Sequence, residues 1–319
     1  MEFQYLREAE QALREYLPPL TKREDFDAFW ARTKQTAYGV PLNPKRQSRD
    51  FPSPHVKVYD ITYNGFDETP IHGLYMVPAF AERETFPCLI HYHGFGGNRG
   101  VPADFAQWIL AGTAVLSVDV REQSGSTGNC AKYSGGHTQN VVCKGILDKE
   151  EYYFRAVYMD CLKAIDFARA MPEVDGGAIV LEGGSQGGAL TMAVSALDDR
   201  PVLAMPDVPG NSDLTKRVEG EHGALGAVTR YLMLYPDRAG KALETLSYFD
   251  TMNMAHQINC KVFASVALKD NVCPAKLYFA TYNRIQSEKS VEIYPFNGHE
   301  GGGAVHNERK LRCLRETVL

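Results

Sequence analysis

The chain has 319 residues, enough for one large α/β domain or two small ones with a sizeable core. Its 44% hydrophobic and 23% charged residues are ordinary for a soluble globular protein. A net charge of -5 leaves no basic footprint for nucleic acid and only weakly favours neutral or cationic ligands.

No apolar stretch reaches membrane-spanning length, and the amino-terminal MEFQYLREAEQALREYL carries charges where a signal sequence has an apolar core. The seven cysteines are scattered. Cys88, Cys161 and Cys260 lie in or beside apolar runs and read as buried small hydrophobes, while Cys130 and Cys143 lie in a loop-like stretch. None forms a C-x-x-C or His/Cys ligand pattern. These features predict a cytoplasmic protein in a reducing compartment, with no metal, no cofactor and no membrane partner.

Leucines and tyrosines at helical spacing predict a helix over Phe3–Tyr16, stopped by Pro18 and Pro19. Phe26, Phe29 and Trp30 mark a second over Lys22–Lys34, so residues 1–40 read as a helical flap outside the main body. Pro41–Pro54 reads as loop. His55–Tyr63 and Ile71–Val77 alternate as strands around an Asn64-Gly65 turn and predict an edge hairpin. Cys88–Tyr92 is a short buried strand that runs into His93-Gly94-Phe95-Gly96-Gly97. Phe105–Ala111 reads as helix capped by Gly112, and Thr113–Val118 as strand. The Gly- and Ser-rich loop Arg121–Lys144 then follows a strand end, where open α/β sheets place ligands. Tyr152–Ala170 is a long amphipathic helix.

Ala178–Ala189, AIVLEGGSQGGA, organises the rest. Ile179, Val180 and Leu181 read as a strand buried on both faces, and Leu190 to Val194 as a buried helix. Between them, Gly183-Gly184-Ser185-Gln186-Gly187 matches G-x-S-x-G. A glycine-rich structural turn could carry that pattern by chance; the strand before it and the helix after it point to a nucleophile elbow. Such a turn exposes Ser185 in a strained conformation, and Gly183 and Gly187 avoid clashes that Cβ atoms would make there. The Gln186 N–H, at the positive end of the following helix, is placed to meet an oxyanion. The glycine-rich loop after Cys88–Tyr92 is the usual place for the second donor, here the Phe95 N–H.

Leu203–Val208 is the next strand. Pro209-Gly210 opens an insertion, residues 209–259, with helices expected over Val218–Leu234 and Ala239–Met252; this is where a lid is often placed. Strands over Lys261–Ala267 and Val291–Tyr294 and a helix over Asn307–Val318 complete the chain. The fold class is α/β: an α/β-hydrolase fold over residues 1–319, with a mostly parallel sheet and helices on both faces. In that architecture the triad runs Ser, acid, His. Asp270 follows the Lys261–Ala267 strand, and His299 follows the last strand. Asp270 is therefore the expected orienter and His299 the base. Asp207 also ends a strand and reads as structural, Asp250 lies inside the insertion, His306 heads into the last helix, and Glu300 neighbours the base.

These residues resemble carbohydrate esterase family seven, the acetyl xylan esterase and cephalosporin C deacetylase group. The resemblance spans nearly the whole chain. It includes Asp25-Phe26-Asp27-Ala28-Phe29-Trp30, Pro41-Leu42-Asn43-Pro44, His93 to Gly100, Gly145-Ile146-Leu147-Asp148 with Tyr152-Tyr153, Gly183 to Gly188, Asp207-Val208-Pro209, Leu246 to Asp250, Asp270 to Pro274 and His299 to Gly303. It implies the triad Ser185, Asp270 and His299 and oxyanion donors at Phe95 and Gln186. It also implies a cytoplasmic homo-oligomer, commonly a hexamer, that acts on small acetylated substrates.

Three departures stand out. The family usually has tyrosine at Phe95, Arg-Gly-Gln where this chain has Arg121-Glu122-Gln123, and often an aromatic where it has Gly210. Arg121, Gln123, Pro209 and Gly210 are the candidates for the substrate pocket. Gly210 leaves room for a larger acyl group, so an esterase or thioesterase for longer acyls is the alternative. A non-catalytic binding scaffold is the alternative of another class, against which the complete triad argues.

Overall fold

The computed structural model describes residues 4–80, 83–135 and 140–319. Among the described residues nine strands form one sheet: β1 (Lys45–Arg49), β2 (Val56–Asn64), β3 (Pro70–Pro78), β4 (Phe86–Tyr92), β5 (Ala114–Val118), β6 (Val174–Gly184), β7 (Pro201–Asp207), β8 (Lys261–Ala267) and β9 (Lys289–Tyr294). Their order is β1-β2-β3-β5-β4-β6-β7-β8-β9. From β5 to β9 every neighbouring pair is parallel; β1, β2 and β3 join antiparallel at one end.

The helices are α1 (Gln4–Arg14), α2 (Phe26–Gly39), α3 (Ala106–Leu110), α4 (Tyr153–Arg169), α5 (Gln186–Leu197), α6 (Leu214–Arg217), α7 (Gly226–Leu234), α8 (Ala239–Ser247), α9 (Ala275–Tyr282) and α10 (Gly303–Val318). They cover both sheet faces, which is why the central strands read as continuous apolar runs. Successive residues of one strand still serve opposite layers. Cys88, Ile90, Ile179 and Leu181 enter the core under α4 and α5, while Leu89 and Val180 join Trp108 of α3 and Leu314 of α10 on the other side. This is the α/β-hydrolase arrangement.

Several elements differ from expectation. Residues 41–54, expected as loop, contain β1, every residue of which is exposed. KRQSR has no apolar alternation, so only main-chain pairing with β2 reveals it. The hairpin turn lies at 65–69, because Asn64 still pairs with Pro70. β6 starts at Val174, ahead of Asp175-Gly176-Gly177, which mask its first half. Of the expected helix Val218–Leu234 only Gly226–Leu234 (α7) is helical; residues 218–225, with Gly220 and Gly223, are not, and a short α6 ends before them at Arg217. The expected helix Ala239–Met252 stops at Ser247. Helix α9 went unread because it is buried on most of its surface and shows no apolar periodicity. Of the expected loop Arg121–Lys144, residues 136–139 lie outside the described residues.

Helix α2 does more than shield the surface. Phe26, Phe29, Trp30, Thr33 and Ala37 recur at helical spacing and are all buried. Trp30 stacks on Tyr158 of α4, and its Nε1–H donates to the Tyr248 carbonyl at 3.0 Å. The amino-terminal segment thus packs against both the insertion and the sheet-covering helices.

Candidate active site

Strand β6 delivers the chain to Ser185, where φ is 59° and ψ is -117°. A serine rarely adopts a positive φ, and the surrounding backbone holds it. Ser185 N–H donates to the Asp207 carbonyl at 2.8 Å, and Gly210 N–H donates to the Ser185 carbonyl at 3.0 Å. The flanking glycines answer to a different neighbour than the turn itself. A Cβ at Gly183 or Gly187 would overlap the Tyr92 carbonyl oxygen at the end of β4. At Gly188 it would meet the Asp207 carbonyl oxygen at 2.9 Å. The elbow is wedged between β4 and β7, and no side chain fits there.

Loops at the carboxyl ends of β8 and β9 bring Asp270 and His299 to the serine. Ser185 Oγ–H donates to His299 Nε2 at 2.9 Å, and His299 Nδ1–H donates to Asp270 Oδ2 at 2.8 Å. The partners fix the neutral tautomer with its proton on Nδ1. The other Asp270 oxygen accepts the N–H groups of Val272 and Cys273, each at 2.8 Å, which lock a fully buried carboxylate. Cys273 Sγ lies 3.9 Å from Ser185 Oγ. Burial, then Asp270, push its thiol up to about 12, so it stays protonated at neutral pH.

Gln186 opens α5, so its N–H has no carbonyl one turn back. Phe95 sits across the cleft on the glycine-rich loop, and both residues line the cavity. Gln123 ties the two together. Its Nε2 donates to Gln186 Oε1 at 2.9 Å and to Tyr153 Oη at 3.2 Å, and its Oε1 accepts the Gly96 N–H at 2.8 Å. His93 anchors the loop from below: its Nε2 accepts the Val120 N–H at 2.9 Å and its Nδ1–H donates to the Gly94 carbonyl at 2.8 Å. Burial holds its pKa below the usual histidine range, so it acts as a neutral strut.

The cavity has a volume of about 790 Å³ and is lined by Ser185, His299, Phe95, Gln186 and Gly210, among others. Of the four pocket candidates Gly210 alone lines the cavity among the described residues; Arg121, Pro209 and Gln123 lie off its wall. Arg121 is fully buried and faces away from the cavity, clasped by Asp160, Asp67 and Asn129. Pro209 packs on the start of α5, where its Cβ would meet a Cβ at Gly188. Gln123 acts one layer back, through the loop that it fastens. Glu122, at φ 57°, occupies a conformation glycine adopts freely, and its carboxylate binds Lys144 and, at 2.6 Å, Asn129. Asp250 caps the base of the insertion, accepting the N–H groups of Asp213, Leu214 and Met252.

Sequence reasoning missed a charge cluster behind the elbow. Lys310 of α10 is almost fully buried and binds Glu182 at 2.7 Å and Asp207 at 2.5 Å. His91 reaches the far oxygen of Glu182 at 2.5 Å. Ser265 Oγ–H donates to Asp207 at 2.9 Å, and His306 Nε2 lies 3.0 Å from the same oxygen. Burial alone would raise both carboxyls, but Lys310, with His91 on Glu182 and His306 on Asp207, outweighs it and holds both below the ordinary range. Sequence contains no hint of this, because a lysine in an otherwise charged terminal helix reads as exposed.

Residues 5–317 match the model of the acetyl xylan esterase (AXE1) family. Acetyl esterase Axe7A of Xylanibacter ruminicola is 26% identical over 298 residues, 89% of this chain; the chain spans 65% of that protein's length. Among solved structures, an acetyl xylan esterase from Paenibacillus sp. R4 superposes with a TM-score of 0.93 at 37% identity, covering 97% of this chain and 99% of that one. Acetyl xylan esterase 1 from Thermoanaerobacterium sp. JW/SL YS485 gives 0.90 at 30% identity, covering 96% and 98%. The family match, the fold and the shared extent together establish that this chain belongs to the acetyl xylan esterase family.

Proposed function

We propose that the protein is a serine carboxylesterase that removes acetyl groups from small esters through an acyl-enzyme. The observation that carries this reading is the unbroken hydrogen-bond series Ser185–His299–Asp270 at the wall of the cavity. Ser185 Oγ attacks the ester carbonyl while His299 Nε2 takes its proton. The N–H groups of Phe95 and Gln186 hold the oxyanion, and Gln123 keeps their two loops in register. On collapse His299 returns the proton to the leaving alcohol. Water then enters by the same route, and acetate leaves. Asp270 holds the imidazole in the tautomer that this shuttle needs.

The substrates in this reading are acetylated xylo-oligosaccharides and cephalosporin C-like esters; the relatives named as acetyl and acetyl xylan esterases support it. The reading includes one α/β-hydrolase unit over 1–319, with the 209–259 insertion as its lid. It also includes a cytoplasmic homo-oligomer, a hexamer by the family resemblance. No helix among the described residues is long and apolar enough to cross a membrane.

The test is kcat/KM for p-nitrophenyl acetate, butyrate and octanoate beside Ser185→Ala. Acetate is the preferred substrate, and Ser185→Ala lowers kcat by about 10³-fold or more. Turnover retained in Ser185→Ala overturns the mechanism. Preference for the longer esters, abolished in the variant, keeps the triad and moves the substrate to larger acyl groups. A folded protein that does not react with a fluorophosphonate is a binding scaffold instead.

A further inference from the structure

Among the described residues, two cations line the cavity that the reaction as written does not use: Lys310, which is bound to Glu182 and Asp207, and Arg217. Arg217, the last residue of α6, is 6% exposed and lines the same cavity as Ser185, beside Val272 and Cys273. A guanidinium carries five donors, and its charge survives burial, which here moves its pKa down without neutralising it. Among the described residues, one of those donors is taken, by the His222 carbonyl, and no carboxylate pairs with Arg217. The contrast with Arg121 is direct. Fully buried, Arg121 makes five hydrogen bonds to Asp160, Asp67 and Asn129.

Glycines pack close to the buried Arg217 guanidinium. Gly223 has φ 63°, and a Cβ there would stand 3.2 Å from Arg217 Nη2 and 2.8 Å from Val272 Cγ1. Gly220 is next to Nη1, where a Cβ would lie at 3.7 Å. At Gly223, where φ is positive, a larger residue would crowd the guanidinium. Asp270 supports the guanidinium through its charge, but among the described residues no carboxylate makes a hydrogen bond to it. Asp270 is committed to His299 and to two backbone N–H groups, and Glu300 accepts the Gly298 N–H on its own loop. Burying a charge without a partner is costly, and a planar fork of donors matches a carboxylate.

We propose that Arg217 forms a subsite for a carboxylate carried by the ester substrate. This rests on the esterase reading above and narrows it to acidic esters. The carboxylate stands either on the alcohol side, as in an acetylated acidic sugar, or on the acyl side, as in a half-ester of a dicarboxylic acid.

Two matched pairs separate these sources. On the alcohol side, 3-acetoxybenzoate is compared with its methyl ester; on the acyl side, p-nitrophenyl hemisuccinate is compared with p-nitrophenyl butyrate. In the wild-type enzyme, kcat/KM for the charged member exceeds that of the neutral member by about tenfold or more in one pair. Arg217→Gln brings that ratio close to one, and Arg217→Lys restores part of it. A ratio at or below one in both pairs, or one unmoved by Arg217→Gln, overturns the subsite. Turnover of none of the four esters overturns the esterase reading itself and the subsite with it. If Arg217→Gln does not fold, competition in the wild-type enzyme decides. Benzoate then inhibits hydrolysis of the methyl ester at least about tenfold more strongly than benzamide does, and equal inhibition overturns the subsite.

Discussion

Gln123 shows how a residue outside the cavity can govern the chemistry inside it. Its amide makes a reciprocal pair with Gln186 and holds the Gly96 N–H, so both segments proposed to hold the oxyanion depend on one side chain. Removing an oxyanion donor costs about 10²–10³ in kcat; loosening two donors without removing either costs less. Gln123→Ala is expected to lower kcat for p-nitrophenyl acetate by about tenfold to a hundredfold with little change in KM. A change confined to KM would show that Gln123 contacts substrate instead. Cys273 supports a second expectation. Its thiol, pushed up to about 12, is not a thiolate at pH 7, so iodoacetamide leaves esterase activity in place although Sγ is 3.9 Å from Ser185 Oγ. Residual activity after alkylation at pH 7 checks it.

At the scale of elements, α10 is the brace for the catalytic edge. It begins at Gly303, four residues after His299, and returns Lys310 beneath the elbow to hold Glu182 of β6 and Asp207 of β7. Asp207 also accepts the Ser185 N–H through its carbonyl, and Val208 next to it sits at φ 38°, a strained conformation for a β-branched residue. One lysine therefore links the base loop, the nucleophile strand and the strained turn between β7 and the insertion. Lys310→Met leaves two carboxylates buried without their cation. It is expected to destabilise the protein by roughly 3–5 kcal/mol, read as a lower midpoint in urea unfolding.

The same cluster sets a pH dependence for the whole molecule. The folded-state pKa values of Glu182 and Asp207 lie below their unfolded values. Their contribution to stability is therefore complete above the ordinary carboxylate range and disappears as pH falls through the lowered values. Urea midpoints are expected to hold from pH 7 to about 5 and to fall below the ordinary carboxylate range. In Lys310→Met that acid-side loss shrinks, because its cause has been removed; an unchanged profile would assign acid unfolding to other groups.

Elements with a strong local signature were readable from the sequence. The apolar runs of β4 to β8, the Gly183–Gly188 elbow and the order Ser185, Asp270, His299 are written in short-range pattern, because strand period and turn chemistry act over a few residues. The α/β-hydrolase class and the family follow from that order. What needed the tertiary structure were relations between distant segments. No local rule reveals that Gly183 and Gly187 answer to the Tyr92 carbonyl, or that Arg121 turns inward to Asp160 while Arg217 faces the cavity. Nor does any show that Lys310 lies buried between Glu182 and Asp207. The sequence by itself determined which backbone segments can be strand, turn or helix, since those depend on neighbours along the chain. The tertiary structure decided which polar groups are paired and which stay open, since burial and charge pairing depend on neighbours across space.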